Sequence, residues 1–456
     1  MIPAMATDAV HPTPPFPRFP DGFLWGVSTS AHQIEGAADL REPSVWDVFE
    51  AEPGRIKDGS TAAVACDHYH RHGEDVALLA GLGVDAYRFS ISWPRVRSAG
   101  GLDFYDRLVD ELCAAGVRPV PTLFHWDLPA ALQAVPKSGS AAGGGWLDRD
   151  TAAHFADYVS TVADRLGDRV KKWITLNEPA EQTLFGYALG AHAPGKQLMF
   201  DALPVAHHQL LAHGLAVQAL RAAGAADIGI ANSHGPTWPA SQEQPDLEAA
   251  AFYDLLLNRL FAEPILLGEY PDGMGDLMPG DVAADLKVIA EPLDWYGINY
   301  YAPTKVGAPQ GTEIEFGGLT LPAELPFSVQ DIEDVPVTDF GWPVVPEALT
   351  ELLTGFRDRY GDRLPPVVIT ENGCSYEGLD DQARITYLDG HVRALHKAAE
   401  AGVDVRGYFV WSLLDNFEWA EGYARRFGLV HVDYATQRRT PKSSYAWYRD
   451  LLRAQR

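Results

Sequence analysis

Eight short apolar segments alternate with helical segments along most of this 456-residue chain. The apolar segments are predicted to be strands because they are rich in β-branched and aromatic residues, whereas the segments between them place apolar residues three or four positions apart. Strands that alternate with helices pair in parallel, and eight such units close into a barrel. The sequence therefore predicts an α/β fold, a single (β/α)8 TIM barrel with long strand-to-helix loops around its mouth. The predicted strands are residues 23–28, 86–91, 118–124, 173–176, 227–232, 293–299, 367–370 and 405–411.

The chain is predicted to form a single barrel domain with a short leader. Although the length alone could suggest three domains, barrels of this kind commonly form a single large one. We expect a flexible leader at residues 1–16 and one barrel domain at residues 17–456. Residues 304–340, with many Gly and Pro, are expected to form a long irregular excursion, and residues 134–145 a Gly/Ser-rich loop. Helices are predicted at residues 68–82, 102–115, 150–166, 205–223, 247–261, 346–360 and 382–401.

Two of the predicted strands end in a glutamate beside an asparagine. The strand at residues 173–176 leads into Asn177 and Glu178, and Pro179 disfavours the helical conformation for the residue before it. The strand at residues 367–370 leads into Glu371, which is followed by Asn and Gly. Because the carboxyl ends of parallel barrel strands meet at one mouth, the two carboxylates are predicted to face each other. Other polar or aromatic residues also fall at strand ends, namely Arg88, His125, Asn299 and Trp411.

Paired carboxylates at a barrel mouth suit the hydrolysis of glycosides. A mechanism that retains the anomeric configuration needs a separation of roughly 5–5.5 Å, and an inverting mechanism needs a wider gap to admit water. The sequence alone leaves both separations open.

Five motifs resemble those of glycoside hydrolase family 1, the β-glucosidase family. Thr-Leu-Asn-Glu-Pro at 175–179 and Ile-Thr-Glu-Asn-Gly at 369–373 look like its two signatures, and the segments at 25–36, 87–94 and 411–419 also match it. The resemblance extends over about residues 17–453 in the same order. It implies a retaining β-glucosidase that removes terminal β-D-glucosyl residues through a covalent glycosyl-enzyme, with β-fucosyl and β-galactosyl residues as alternatives. It also implies that the reaction needs no cofactor and no metal.

The resemblance further implies a role for individual residues. Glu178 would be the general acid and then the general base, and Glu371 the nucleophile. Arg88 would lie beside Glu371 and stabilise its negative charge, while Trp411 would form an apolar floor under the sugar ring. The implied substrate-binding residues are Gln33, His125, Trp126, Asn177, Asn299, Tyr301, Trp411, Glu418, Trp419 and Phe427.

Two departures in residue type exclude branches of that family, and a third bears on the leaving-group site. The acid is Glu178 and not Gln, which disfavours the plant thioglucosidases. The turn that begins at Glu418 lacks the Ser and Lys of the phospho-sugar branch, and a carboxylate there would repel a 6-phosphate. Ala180 and Glu181 stand where the family often has a Trp-Cys pair, so the leaving-group site is not predicted by the resemblance.

The composition excludes other classes of partner. The chain has 62 acidic residues against 36 Lys plus Arg, a formal charge of −26, which argues against nucleic-acid or anionic-membrane binding. Its three cysteines show no CxxC spacing, which is typical of a reducing compartment, and no segment is predicted to be a signal peptide or membrane span. We therefore expect a cytoplasmic protein with a small-molecule glycoside as its partner; its oligomeric state is not predicted.

Three alternative interpretations remain open at this stage. His68 and His72 could share a helix face with nearby Glu74 and Asp75 as a metal cluster, although no HExxH pattern is present. The barrel could be a non-catalytic sugar-binding protein, although such proteins typically lack one carboxylate and both are present here. A transglycosylase would use the same covalent intermediate and differ only in whether water or another acceptor takes the sugar.

Overall fold

Eight parallel strands form a closed barrel in the computed structural model, which describes residues 15–134, 143–271, 273–316 and 319–456. Each strand pairs with its neighbours in sequence, and the first pairs with the last, so the predicted barrel is confirmed. The strands are β1 (Leu24–Ser28), β2 (Ala86–Ser90), β3 (Arg118–Phe124), β4 (Lys172–Asn177), β5 (Asp227–Ser233), β6 (Tyr296–Asn299), β7 (Val367–Asn372) and β8 (Val405–Trp411).

Eight helical regions lie between or after these strands. The regions are α1 (His68–Leu82), α2 (Gly101–Ala114), α3 (Asp150–Leu166), α4 (Leu203–Ala222), α5 (Gln244–Asp254, continuing through Leu255–Arg259 into Leu260–Leu266), α6 (Pro346–Tyr360), α7 (Gln382–Glu400) and α8 (Ser443–Gln455). Shorter helical segments are Ala31–Ile34, Ala38–Leu40, Val45–Glu50, Trp93–Arg97, Ala130–Ala134, Gly145–Leu147, Pro179–Glu181, Gln182–Ala188, Met199–Ala202, Gly275–Leu277, Val282–Ile289, Gly361–Arg363 and Trp419–Glu421.

Buried apolar side chains close the barrel interior away from its mouth. This inner cluster takes one residue from, or directly beside, each strand and is separate from the larger core that includes residues of the strands and helices. A packed interior of this kind is a core and not a pore. Only the carboxyl ends of the strands are therefore left to form a site. The inner cluster is Leu24, Ala86, Val120, Ile174, Ala231, Trp295, Val368 and Phe409.

The predicted excursion at residues 304–340 is partly wrong. It contains four short strands, and two of them, Thr304–Gly307 and Ser328–Gln330, join Thr237–Pro239 in a three-stranded sheet beside the barrel. Thr304–Gly307 pairs with Thr237–Pro239, which lies more than sixty residues earlier in the sequence, so a local pattern could not reveal this pairing. Two further hairpins pair Ile314–Phe316 with Leu319–Leu321, and Val430–Asp433 with Arg438–Pro441.

Most predicted element bounds agree with the structure to within a few residues. The helix predicted at residues 247–261 is longer in the structure. It starts at Gln244 and continues past a π-helical turn to Leu266. The sixth strand starts at Tyr296 and not at residue 293. The C-terminal helix α8 was not predicted.

Parts of two predicted segments lie outside the described residues. These parts are residues 1–14 of the leader and residues 135–142 of the Gly/Ser-rich loop. Phe16, just after the first of them, packs its ring against Trp447 of α8 with ring centroids 5.7 Å apart. Among the described residues, no helix combines the length and the apolar character that crossing a bilayer requires.

Candidate active site

Glu178 directly follows β4 and adopts an unusual backbone conformation. Its φ and ψ angles are 47° and 61°, in the left-handed region that residues other than glycine rarely occupy. Its N–H donates a hydrogen bond to the carbonyl of Ala231 in β5 at 2.7 Å, and Pro179 then begins a short helix. The prediction that Pro179 keeps Glu178 out of the right-handed helical region is confirmed. The neighbouring strand holds this residue at the mouth of the barrel.

Glu371 lies in β7, opposite Asn299 of β6. Each of its carboxylate oxygens accepts one hydrogen bond: Arg88 Nη1 donates to Oε1 at 2.5 Å, and the Tyr301 hydroxyl donates to Oε2 at 2.6 Å. Burial and the negative charge of Glu371 raise the pKa of Tyr301, so the phenol keeps its proton and remains a donor. Charge-assisted bonds of this kind are strong and directional. The carboxylate is therefore oriented through both of its oxygens.

The side-chain amides of Asn177 and Asn299 connect the two carboxyl groups. Asn299 donates to Glu178 Oε1 at 2.8 Å, and Asn177 donates to Glu178 Oε2 at 3.3 Å. Arg88, the partner of Glu371, also donates to the side-chain oxygen of Asn177 at 2.6 Å. One network of hydrogen bonds therefore includes both carboxyl groups. Its members lie on four different strands or directly after one, so closure of the barrel is what assembles it.

Glu178 holds a proton more readily than an ordinary glutamic acid. Burial raises the pKa of its carboxyl well above the usual value, and the negative charges of Glu371 and Glu181 raise it further. The hydrogen bond from Asn299 and the charge of Arg88 act in the opposite direction. Two carboxyl groups in such different environments can hold one proton and one negative charge at neutral pH. The site can therefore offer an acid and an anion to the same bound molecule.

A cavity of about 290 Å³ is lined by both Glu178 and Glu371. The ring of His125 stacks on that of Trp411 with centroids 5.8 Å apart, and Trp126 lies 4.7 Å from Trp419. Flat rings beside a few polar groups suit a sugar, which has apolar C–H faces and hydroxyl edges. The predicted residues that line the cavity are His125, Trp126, Glu178, Tyr301, Glu371, Trp411, Glu418, Trp419 and Phe427.

Four predicted residues lie behind this lining. Gln33 donates to the Glu418 carboxylate at 3.3 Å and to the carbonyl of Phe417 at 3.0 Å. Arg88, Asn177 and Asn299 form the network described above. All four side chains are buried. Together with the nine lining residues, they make one continuous cluster at the mouth.

His125 and Glu418 have spare capacity for hydrogen bonds. Burial and the charge of Arg88 lower the pKa of His125 well below its ordinary value, so its ring is neutral. Its Nε2 lies 3.1 Å from the amide nitrogen of Asn177, and its buried Nδ1 has no partner among the described residues. Burial and the charge of Glu371 raise the pKa of Glu418 to about 8. A ligand hydroxyl could pair with either group.

Part of the cavity lining was missed by the sequence prediction. Phe340 and Trp342 form a stacked pair with centroids 4.4 Å apart, and Trp342 also contacts the ring of Tyr301. The only available signal was two aromatic residues flanking Gly341 at the end of the excursion. Further lining residues that the sequence did not predict are Glu181, Leu184, Phe185, His192, Ser233, His234, Tyr253, Leu257 and Asn258.

The histidines at residues 68–72 do not form a metal cluster in the structure. His68 Nδ1 lies 2.7 Å from Asp75, whose carboxylate also pairs with Arg439 at 3.0 Å. Across the described ranges, no group of three metal-ligating side chains has the arrangement needed to hold an ion. His68 and Asp75 therefore connect α1 to the C-terminal hairpin.

A profile of glycosyl hydrolase family 1 matches residues 16–456, nearly the whole chain. The chain belongs to glycosyl hydrolase family 1. It is 42% identical to beta-glucosidase A of Thermotoga maritima, over 96% of this chain and 98% of that protein. It is also 42% identical to a bifunctional beta-D-glucosidase/beta-D-fucosidase of Bifidobacterium breve, over 95% of this chain and 98% of that protein.

A solved family 1 structure has the same fold. The family 1 beta-glucosidase of Thermotoga maritima in complex with isofagomine lactam superposes with a TM-score of 0.88, at 40% identity and over 97% of this chain and all of that one. The resemblance inferred from the five sequence motifs is therefore confirmed, and the barrel is that of a family 1 glycoside hydrolase.

Proposed function

We propose that this family 1 enzyme is a retaining β-glucosidase in which Glu178 is the acid/base and Glu371 the nucleophile. The observation that carries the proposal is the contrast between the two carboxyl groups. Glu371 accepts hydrogen bonds from Arg88 and Tyr301 on its two oxygens, whereas Glu178 is buried and repelled by a neighbouring charge. One group is prepared to attack and the other to donate a proton.

The reaction follows from this contrast in two steps. In the first, a Glu371 oxygen forms a bond to the anomeric carbon while the bond to the leaving oxygen breaks and that oxygen takes the proton of Glu178. The ester formed at Glu371 carries no charge, so the pKa of Glu178 falls. Glu178 then removes a proton from water, which attacks the anomeric carbon and releases Glu371.

The cavity provides the contacts for the sugar whose anomeric carbon is attacked. Trp411 offers a flat apolar surface, while Glu418 and His125 offer polar atoms with spare capacity. Gln33 and Asn177 act from behind by holding Glu418 and His125 in place. The names of the relatives support a β-D-glucosyl unit at this position, with β-D-fucosyl as a second substrate.

A panel of aryl β-glycosides tests the proposed function. We expect cleavage of the glucoside, and the first product seen by NMR should be β-glucose, because two inversions at one carbon restore its configuration. The α anomer should appear only later, by mutarotation. Initial release of α-glucose would contradict the retaining mechanism, and no cleavage of any glycoside would contradict the function.

The charge of the cavity predicts a preference for unphosphorylated sugars. Five glutamates line it, and none of the described lining residues is a lysine or an arginine. A 6-phosphate in this cavity would be left without a counter-ion. We expect kcat/KM for 4-nitrophenyl β-glucoside to exceed that for its 6-phosphate by at least ~100-fold, since a buried unpaired charge costs several kcal/mol. Faster turnover of the phosphorylated substrate would be the contrary result.

A further inference from the structure

Arg425 lies in the loop after β8 that also carries Glu418, and its side chain is partly buried, with 29% exposed. Its Nε donates a hydrogen bond to Glu421 at 3.2 Å, and its Nη1 donates to the backbone carbonyl of Asp339. The guanidinium also lies over the ring of Phe340, with its central carbon 4.9 Å from the ring centroid. An arginine suits this place because its planar group can donate at its edge and stack on its face. Arg425 therefore joins the loop after β8 to the segment that precedes α6.

Glu421 orients Arg425 from the other side. One carboxylate oxygen of Glu421 accepts the hydrogen bond from Arg425, and the other pairs with Lys57 at 2.5 Å. Only 10% of the Glu421 side chain is exposed, and the N–H of Lys57 donates to the carbonyl of Ala420 at 2.8 Å. A network of charges in a partly buried place is stronger than a single pair at the surface. The guanidinium is therefore held in one orientation between Glu421 and Phe340.

Phe340 and Trp342 belong to a tight turn, residues 338–342, that has its own hydrogen bonds. The N–H of Thr338 donates to the carbonyl of Trp342 at 2.9 Å, and the N–H of Gly341 donates to the carbonyl of Thr338 at 2.8 Å. The N–H of Trp342 also donates to the hydroxyl of Thr338 at 3.2 Å. Because the turn is bonded internally, contacts made at Asp339 and Phe340 also fix Trp342.

Aromatic contacts connect this turn to the nucleophile. The ring of Trp342 lies 5.2 Å from that of Tyr301, and the ring of Phe427 contacts both, at 5.9 Å and 6.4 Å respectively. The Tyr301 hydroxyl donates to Glu371 at 2.6 Å. The contacts therefore form an unbroken path from the side chain of Arg425, through the turn, to the carboxylate of Glu371.

We infer that Arg425 is a positioning residue that acts on the nucleophile through this path. It fixes the turn, and the turn fixes the ring of Tyr301, whose hydroxyl orients Glu371. The inference rests on the proposed glucosidase function. No contact among the described residues joins Arg425 directly to Tyr301 or Glu371, so its effect must pass through the rings. A small displacement at the reacting group is costly, because catalysis depends on the alignment of the attacking atom.

The charge of Arg425 also has an effect of its own on the cavity. It lowers the pKa of Glu418, whereas burial and the charge of Glu371 raise that pKa to about 8. A lysine at position 425 would keep the positive charge but not the planar fork that reaches several partners. Substitution by lysine therefore separates the effect of the charge from the effect of the contacts.

A double-mutant cycle between Arg425 and Tyr301 tests the inference. For Arg425→Met we expect kcat/KM for 4-nitrophenyl β-glucoside to fall about 3- to 30-fold, the scale for residues that act through a chain of contacts. Tyr301→Phe should lose about 10- to 150-fold, as for a lost hydrogen bond to a charged group. The double variant should stay within about twofold of Tyr301→Phe, because the path no longer ends in a hydrogen bond to Glu371.

Three further variants show where the effect originates. Arg425→Lys should still lose about 2- to 5-fold, because an ammonium group cannot make all three contacts. Phe340→Leu removes the stacked ring and leaves the charge, so its loss should also be about 3- to 30-fold and should also disappear in the Tyr301→Phe background. Arg406→Met is the matched control. Arg406 pairs with Asp404 at the start of β8 and is 63% exposed, so this variant should remain within about twofold of the unmodified enzyme.

Three results would overturn the inference. Losses that multiply in the double variant would show that Arg425 and Tyr301 act independently, as substitutions without a shared contact usually do. Full activity in Arg425→Met would show that the turn needs no support from this side chain. Full activity in Arg425→Lys would assign the effect to the charge near Glu418. Failure of the unmodified enzyme to cleave the glucoside would instead contradict the glucosidase function itself.

Discussion

Replacing Glu371 with glycine is expected to abolish hydrolysis of β-glucosides, with a loss of about 100,000-fold or more in kcat, the scale seen when a covalent nucleophile is removed. Arg88 and Tyr301 would then face a small open space in place of the carboxylate they now bind. Azide can enter such a space and attack the anomeric carbon from the same face. With an activated aryl β-glucoside, we therefore expect rescue by azide and an α-glucosyl azide as the product, identified by NMR.

The exposed Glu377 provides a matched control for this change. It lies six residues beyond Glu371, outside the cavity, so Glu377→Gly makes the same chemical change at the surface. Its hydrolysis rate should remain within about twofold of the unmodified enzyme, as surface substitutions usually have small effects. Residual hydrolysis by Glu371→Gly above a few per cent would contradict the assignment of the nucleophile, and so would an azide product of β configuration.

Replacing Glu178 with alanine is expected to produce an effect that depends on the leaving group. An alkyl β-glucoside needs a proton for departure and should lose about 100- to 10,000-fold in kcat/KM. A 2,4-dinitrophenyl glucoside departs without a proton, so its kcat/KM should fall by less than about tenfold, because proton transfer contributes little there. Its kcat should still fall, because the second step lacks a base.

Azide distinguishes this variant from the previous one by the configuration of the product. In Glu178→Ala the covalent intermediate still forms, and azide then attacks it from the opposite face to give β-glucosyl azide. An equal loss for alkyl and dinitrophenyl glucosides would contradict the role of Glu178 as the acid.

The raised pKa of Glu178 predicts how the activity depends on pH. Because the pKa of Glu178 is raised, the acid is protonated below that value and is lost as the pH rises through it. The Glu178→Ala variant should therefore lack the alkaline limb in kcat/KM for the dinitrophenyl substrate. Persistence of the same limb would assign it to another group.

The sequence predicted the barrel because its evidence is local. Each strand is a run of apolar residues, and each glutamate of the site stands directly after or near the end of such a run. The same local signals located helices α1, α3 and α6 to the residue. The three-stranded sheet that contains Thr304–Gly307 was missed, because this strand pairs with Thr237–Pro239, which is distant in the chain.

The features of the site also divide into those that the sequence predicted and those that only the structure shows. The motifs around Glu178 and Glu371 indicated two carboxyl groups at one mouth, and family membership followed from them. The order of residues alone could not show that Asn177 and Asn299 link these carboxyl groups, or that Gln33 lies behind Glu418. It also could not show that the backbone of Glu178 is in the left-handed conformation. These features depend on which strands become neighbours when the barrel closes.

Residue types and their spacing along the chain by themselves determined the fold class, the family and the pair of glutamates. Only the tertiary structure decided the raised pKa of Glu178 and the two hydrogen bonds that orient Glu371. The physical reason is that strand propensity and motif identity are properties of adjacent residues. Burial and electrostatic repulsion, in contrast, depend on groups that come together only in the folded barrel.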